Sequence, residues 1–242
     1  MKSIVITGTD TDVGKTFVTS LLLKSLRSAG MKAAGYKPVC SGVQLDAQGN
    51  RSWADVEALY HACDGQYSRD ILCPQTFDAP LAPPMAAVAE GKQIEDGLLL
   101  QGAEAFREHS DWLLIEGAGG WLSPITQSQS LRDFCPLWNA PVLLISRLGL
   151  GTLNHTLLTI ESIERSGIPI AGIVMNQSTS AQNDPSTQSN LEELRKRTLH
   201  PVWGVVAFEN NKNHLPEVLH QECLTSQQMG DRFKALPHSL WS

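Results

Sequence analysis

Six short apolar runs punctuate the chain, at 2–7, 33–37, 111–116, 141–146, 169–175 and 201–206, and each predicts a strand. Runs such as WLLIE and PVLLIS are apolar at consecutive rather than alternate positions, the pattern of strands covered on both faces. Segments with helical spacing lie between them. Over 15–29, Val18, Leu21, Leu22, Leu26 and Ala29 recur at intervals of three and four, and Gly30 follows as a stop. Over 152–166, Leu153, Leu157 and Ile160 recur in the same way. The segment 184–199 opens with Asp-Pro and continues with charged helix formers, which predicts a capped, exposed helix. Strands alternating with helices predict a three-layer α/β fold, with a mostly parallel central sheet flanked by helices. The polar stretch 177–190 is expected to be a mobile loop, the Asn-rich stretch 208–216 another loop, and 237–242 a loose tail. No repeat, low-complexity tract or linker divides the chain, so residues 1–242 are expected to form one domain.

Composition narrows the function classes. With 42% apolar and 18% charged residues, the chain resembles an ordinary soluble globule, and a net charge of −6 argues against a general nucleic-acid binder. The cysteines, Cys40, Cys63, Cys73, Cys135 and Cys223, are odd in number, widely spaced and free of any C-x-x-C pair. That usage suits reduced thiols in a cytoplasmic protein better than a disulfide frame or a zinc site. The N-terminus lacks a signal-peptide pattern, and no apolar run is long enough for a bilayer, so no membrane role is expected.

The chemistry starts at GTDTDVGKT, Gly8 to Thr16, which lies between the first apolar run and the first helical segment. Strand, glycine-bounded loop, Lys-Thr and helix is the P-loop arrangement, in which backbone N–H groups and a helix N-terminus meet phosphate oxygens. Lys15 would reach the β- and γ-phosphates, and the Thr16 hydroxyl would ligate Mg²⁺. The general pattern has four residues between the glycines; here Thr9–Val13 makes five.

A phosphate site of this kind needs a further carboxylate near its metal, at the C-terminal end of a strand. Glu116 in DWLLIEGAGGW has that position, with Gly117 and Gly119 behind it; its alternative is a solvated strand end. Asp55 is either a second metal carboxylate or a helix-start residue. Lys37, in GYKPVCSG, closes a strand on the same sheet edge as the loop, or is simply solvated there, and Ser41 follows in a turn.

Taken together, GTDTDVGKT, GYKPVCSG, EGAGGW, LGLGTLNHTLLT and GIVMN resemble, in order and spacing, the dethiobiotin synthetase family. The five-residue interval between the loop glycines is itself a trait of that family. The resemblance implies a P-loop NTPase-type fold and an ATP- and Mg²⁺-dependent ring closure. 7,8-Diaminononanoate takes up CO₂ as a carbamate, ATP activates it as a carbamic-phosphoric mixed anhydride, and the second amine closes a cyclic urea. It implies catalytic roles for Lys15, Lys37 and Thr11, and metal ligation by Thr16, Asp55 and Glu116. Nucleotide contacts fall to Asp12, Val13, Gly14, Lys15, Thr16, Phe17, Asp55, Glu116, Gly117, Ala118, Gly119, Asn176 and Gln177, with Asn176 reading the adenine edge. Substrate contacts fall to Thr11, Lys37, Ser41, Gly149, Gly151 and Asn154. The last three belong to a helix N-terminus that takes the substrate carboxylate across the two-fold interface of a homodimer. The chain departs from the family pattern at Asp12, and at Ala207, where relatives often have proline.

Overall fold

The structure, a computed structural model, describes residues 1–179, 186–215 and 217–241. Its centre is a six-stranded sheet of β1 (Lys2–Gly8), β2 (Ala33–Tyr36), β3 (Trp112–Glu116), β4 (Val142–Arg147), β5 (Ile170–Asn176) and β6 (Val202–Val206). The strand order is β6-β5-β4-β1-β3-β2, and each neighbouring pair is parallel. Each strand lies within two residues of the apolar run that predicts it.

The consecutive apolar residues explain why the sheet sits inside. Ile4, Val5, Ile6, Leu113 to Ile115, Val142 to Ile145 and Ile173 to Met175 have no solvent exposure, as expected for parallel strands covered on both faces. Helix α1 (Lys15–Ser28) buries Val18, Leu22, Leu23 and Leu26. It packs on β1, β2 and β3, and α2 (Ala54–Ala62) packs against it. Four short or medium helices follow: α3 (Arg69–Leu72), α4 (Pro83–Ala89), α5 (Asp96–Gln101) and α6 (Leu131–Trp138). Helix α7 (Thr152–Arg165) lies on β4, and α8 (Ser186–Arg197) packs on α7 and β6. The last helix, α9 (Ser226–Lys234), returns to α1.

A parallel ladder delivers all strand ends to one edge. Ile6 pairs with Glu116, Gly8 with Ile145, and Arg147 with Asn176. The phosphate loop, Lys37, Glu116 and Asn176 therefore leave the sheet on the same side.

Two expectations are corrected. Residues 186–190, expected in the loop 177–190, are the first turns of α8; their neighbours Asp184 and Pro185 lie outside the described residues. The tail 237–242 is not loose over its described part. The Trp241 indole donates to the Ser3 carbonyl at 2.8 Å, and its ring packs edge-on against Trp112 with the Lys2 ammonium over both rings. An aromatic pair with a cation above it holds a chain end that composition alone marks as free.

Candidate active site

Beyond β1, the chain turns back over the sheet edge. Thr9 N donates to Ile145 O at 3.0 Å and Trp121 N to Gly8 O at 3.2 Å, which fix the loop to β4 and to the turn after β3. The extra residue between Gly8 and Gly14 is taken up by left-handed backbone, with φ of 56° at Asp12 and 89° at Gly14. A Cβ at Gly14 would lie 2.1 Å from Asn176 Nδ2, so this glycine is required by contact as well as by conformation. Helix α1 starts with no side-chain cap and no acidic residue in its first turn. Its unpaired amides and positive dipole end are left for an anion. Lys15 arches over the loop, its Nζ 3.1 Å from Asp10 O. Burial first, and then the Lys37 charge, pull the Lys15 ammonium down to about 8.

Thr16 leads to a cluster that joins three parts of the chain. Its Oγ1 lies 2.9 Å from Asp55 Oδ1 and 2.5 Å from Glu116 Oε1. Lys37 Nζ donates to Asp55 Oδ2 at 2.6 Å and to Glu116 Oε1 at 2.7 Å, with the Gly117 carbonyl at 3.5 Å. Asp55 is placed by the first turn of α2, Lys37 by its backbone bond to Leu72 O, and Glu116 by the last ladder position of β3. Asp55 is thus a helix-start residue whose carboxylate also faces Thr16 and Lys37. Burial opposes the Lys37 charge, but Glu116 and Asp55 outweigh it and hold this ammonium well above the usual lysine value. Burial likewise opposes ionisation of Asp55, and Lys37 and the Thr16 hydroxyl overcome it, leaving its carboxyl below the usual range.

This cluster suits a divalent cation. The Thr16 hydroxyl has one hydrogen and faces two carboxylates. The second Glu116 oxygen, Oε2, is buried with no hydrogen-bond partner among the described residues. A hydroxyl with two carboxylates is a hard, all-oxygen donor set of the kind Mg²⁺ takes.

The cluster opens into a cavity of about 570 Å³. Thr11, Asp12, Gly14, Lys15, Thr16, Phe17, Lys37, Ser41, Asp55, Ala118, Gly119, Asn176 and Gln177 line it. Glu116 and Gly117 lie behind this wall and reach it through Thr16 and Lys37. The Ser41 hydroxyl donates to Leu81 O at 2.6 Å. Asn176 is 1% exposed; its Nδ2 donates to Val13 O at 2.9 Å, and its buried Oδ1 has no partner among the described residues. One amide thus ties the loop and keeps an acceptor in reserve.

The remaining candidates lie elsewhere. Val13 and Gly149 line a second cleft of about 470 Å³ on the other side of the loop, with Arg147 and His155. Gly151 and Asn154 are exposed at the start of α7 and line neither space. Cys40, Ser178, Phe208 and Glu209 line the main cavity without having been singled out in the sequence. The signal for Phe208 and Glu209 is structural: Phe208 N donates to Gln177 Oε1 at 3.2 Å, and Glu209 and Asn210 are both left-handed.

Comparison with known proteins identifies the family. The model of the AAA domain family matches residues 2–213. An ATP-dependent dethiobiotin synthetase, BioD, of Anaeromyxobacter dehalogenans strain 2CP-C is 42% identical over 209 residues, 86% of this chain and 91% of its own. This chain belongs to the dethiobiotin synthetase family. BioD 1 of Escherichia coli strain K12 is 37% identical over 178 residues, 74% of this chain and 79% of its own. Among solved structures, the cell division ATPase MinD of Pyrococcus furiosus superposes with a TM-score of 0.55 at 14% identity, covering 98% of this chain and all of that one. That likeness places this chain among P-loop folds and says nothing further. Among the described residues, no helix is long and apolar enough to cross a membrane, and the five cysteines are free.

Proposed function

We propose that the protein is an ATP- and Mg²⁺-dependent dethiobiotin synthetase acting in the cytoplasm as one domain, 1–242. It carboxylates 7,8-diaminononanoate with CO₂ and closes the ureido ring through a carbamic-phosphoric mixed anhydride, releasing ADP and phosphate. The observation that carries this reading is Lys37. Its ammonium is held by both carboxylates of the cation site and borders the cavity that Lys15 and Thr16 line.

The reaction must join two anions, a carbamate and a γ-phosphate, and cations are what lowers that barrier. Bound by Thr16, Asp55 and Glu116, magnesium would neutralise phosphate oxygens. Lys15 holds the β- and γ-phosphates over the amides of α1. Lys37 holds the carbamate oxygen that attacks phosphorus as the bond to ADP breaks. Thr11 and Ser41 steady the diamine, so that the second nitrogen meets the carbonyl carbon as phosphate leaves with its oxygen. Asn176 Oδ1 accepts the exocyclic amine of adenine, and Asp12, Gly14, Phe17, Ala118, Gly119 and Gln177 shape the rest of the nucleotide site. We place Gly149, Gly151 and Asn154 at the substrate carboxylate, across a homodimer. The exposed Leu122, Leu150 and Leu158 support such a contact.

The test is direct. Purified protein with Mg²⁺, ATP, bicarbonate and 7,8-diaminononanoate is assayed for a cyclic urea by mass spectrometry. ATP consumption should require diamine and bicarbonate together; a folded protein that makes no urea contradicts the reading.

A further inference from the structure

Helix α8 buries the stripe Thr187, Asn190, Leu191 and Leu194. An asparagine amide on such a stripe must find partners, since a buried donor left without one is costly. Asn190 is 5% exposed and finds two: Nδ2 donates to Gly149 O at 2.9 Å and to Ser186 Oγ at 3.1 Å. The first bond leaves the helix for the turn between β4 and α7.

That turn is built around the Gly149 carbonyl. Thr152 N donates to it at 3.2 Å, and Gly151 has φ 87° and ψ −8°, the third-residue conformation of a type II turn. With Asn190 on its other lone pair, the carbonyl is saturated. The turn is pinned at its entrance as well, where Leu148 N donates to Asn176 O at 2.8 Å. The first turn of α7 follows with no side-chain cap and no acidic residue. Two asparagines, Asn176 on β5 and Asn190 on α8, therefore help to hold it, beside the Ser146 hydroxyl on β4, which meets the Thr152 and Thr156 hydroxyls at 2.7 and 2.6 Å.

We infer that Asn190 is a positioning residue for the substrate's carboxylate tail, acting through the Gly149 carbonyl on the turn Gly149–Thr152. This rests on the reading above that Gly149, Gly151 and Asn154 receive that carboxylate. Asn190 itself touches no reacting group. Its removal leaves the carbonyl with the Thr152 amide alone, and the turn loses a donor that ties it to α8, while the phosphate loop keeps its own link through Asn176 and Val13.

The experiment compares 7,8-diaminononanoate with 7,8-diaminononane, which has the same amines and no carboxylate, in the full-length protein and in Asn190→Ala. The variant should raise KM for diaminononanoate about tenfold, the scale of one lost buried hydrogen bond. It should leave kcat and the KM for ATP within about twofold and leave KM for diaminononane unchanged. Asn190→Ser, smaller but polar, gives the same reading if the alanine variant does not fold. Ser186→Ala, which removes the other partner, should leave every constant near its original value. Equal increases for both diamines, an increase for ATP of the same size, or no change for diaminononanoate would each overturn the role of Asn190. If the unaltered protein takes the two diamines with equal KM, the carboxylate reading itself fails, whatever the variants do.

Discussion

Lys37 and Glu116 meet at 2.7 Å with 3% and 0% of their side chains exposed. Removing two charges from water is expensive, and a buried pair seldom gains more than it costs. This pair also lacks a partner for the second Glu116 oxygen. Such an arrangement makes sense as half of a site that a cation and a phosphate complete.

Lys37→Leu should leave Glu116 buried without its cation. The loss is about 3 kcal/mol, or a fall of roughly 10 °C in the melting midpoint of the metal-free protein. Added Mg²⁺ should recover part of it. Turnover should drop by about 10²–10³, with the KM for ATP changed far less. Weakened ATP binding at normal turnover would contradict the assignment of Lys37 to the carbamate.

Glu116→Gln keeps the shape of the cluster and removes one negative ligand. The Mg²⁺ concentration for half-maximal turnover should rise by at least about tenfold. A Mg²⁺ titration of the folded variant that overlays the original would remove Glu116 from the metal site.

Lys15→Gln should reduce turnover by roughly 10³ while preserving the fold. The lowered pKa of about 8 adds a pH effect in the metal-free, empty protein. Below it the buried ammonium is charged in both folded and unfolded chains, and its burial counts against folding. As pH rises from about 8 to the unfolded value of about 10.4, the unfolded chain binds more protons, so this group's contribution to stability grows. Denaturant melts at pH 7.5 and 9.5 should show the original gaining relative to Lys15→Gln. A gap that does not change with pH would mean that the ammonium is already solvated.

Asn176→Asp would set an anionic oxygen against the Val13 carbonyl and next to the phosphate loop. The KM for ATP should rise by about tenfold or more, with the KM for the diamine little changed. Steady-state kinetics varying each substrate separates the two.

Trp241→Ala removes the contact that holds the chain's end to β1 and Trp112. Differential scanning calorimetry should show a midpoint lower by roughly 5 °C, with kcat unaffected. An unchanged midpoint would mean that the indole bond to Ser3 contributes nothing in solution.

Much of this was legible in local pattern. Apolar runs covered on both faces specify strands without knowledge of their neighbours, and Gly-Lys-Thr after the first of them specifies the loop. Lys37 and Glu116 are visible as strand-end residues because a parallel sheet puts all such ends on one edge. Their meeting is not visible, since it joins positions 79 apart in the chain. Asp55 stays ambiguous in sequence because a first-turn carboxylate and a metal ligand look alike, and only the fold brings it to Thr16 and Lys37. Glu209 escapes because a left-handed non-glycine residue has no pattern of its own, and Phe208 because its place depends on a backbone bond to the distant Gln177. Residues 237–242 look free because nothing local announces that Trp241 will find Trp112. Asn190 escapes because one amide on a helix is common, and only the partner at Gly149 sets it apart.

The 2.1 Å between a would-be Cβ at Gly14 and the Asn176 amide has a wider consequence. Enlarging Gly14 would push the Asn176 amide off the Val13 carbonyl and untie the loop from the end of β5. The loop glycine and the strand-end amide are therefore constrained as a pair, and a change at one position demands a change at the other.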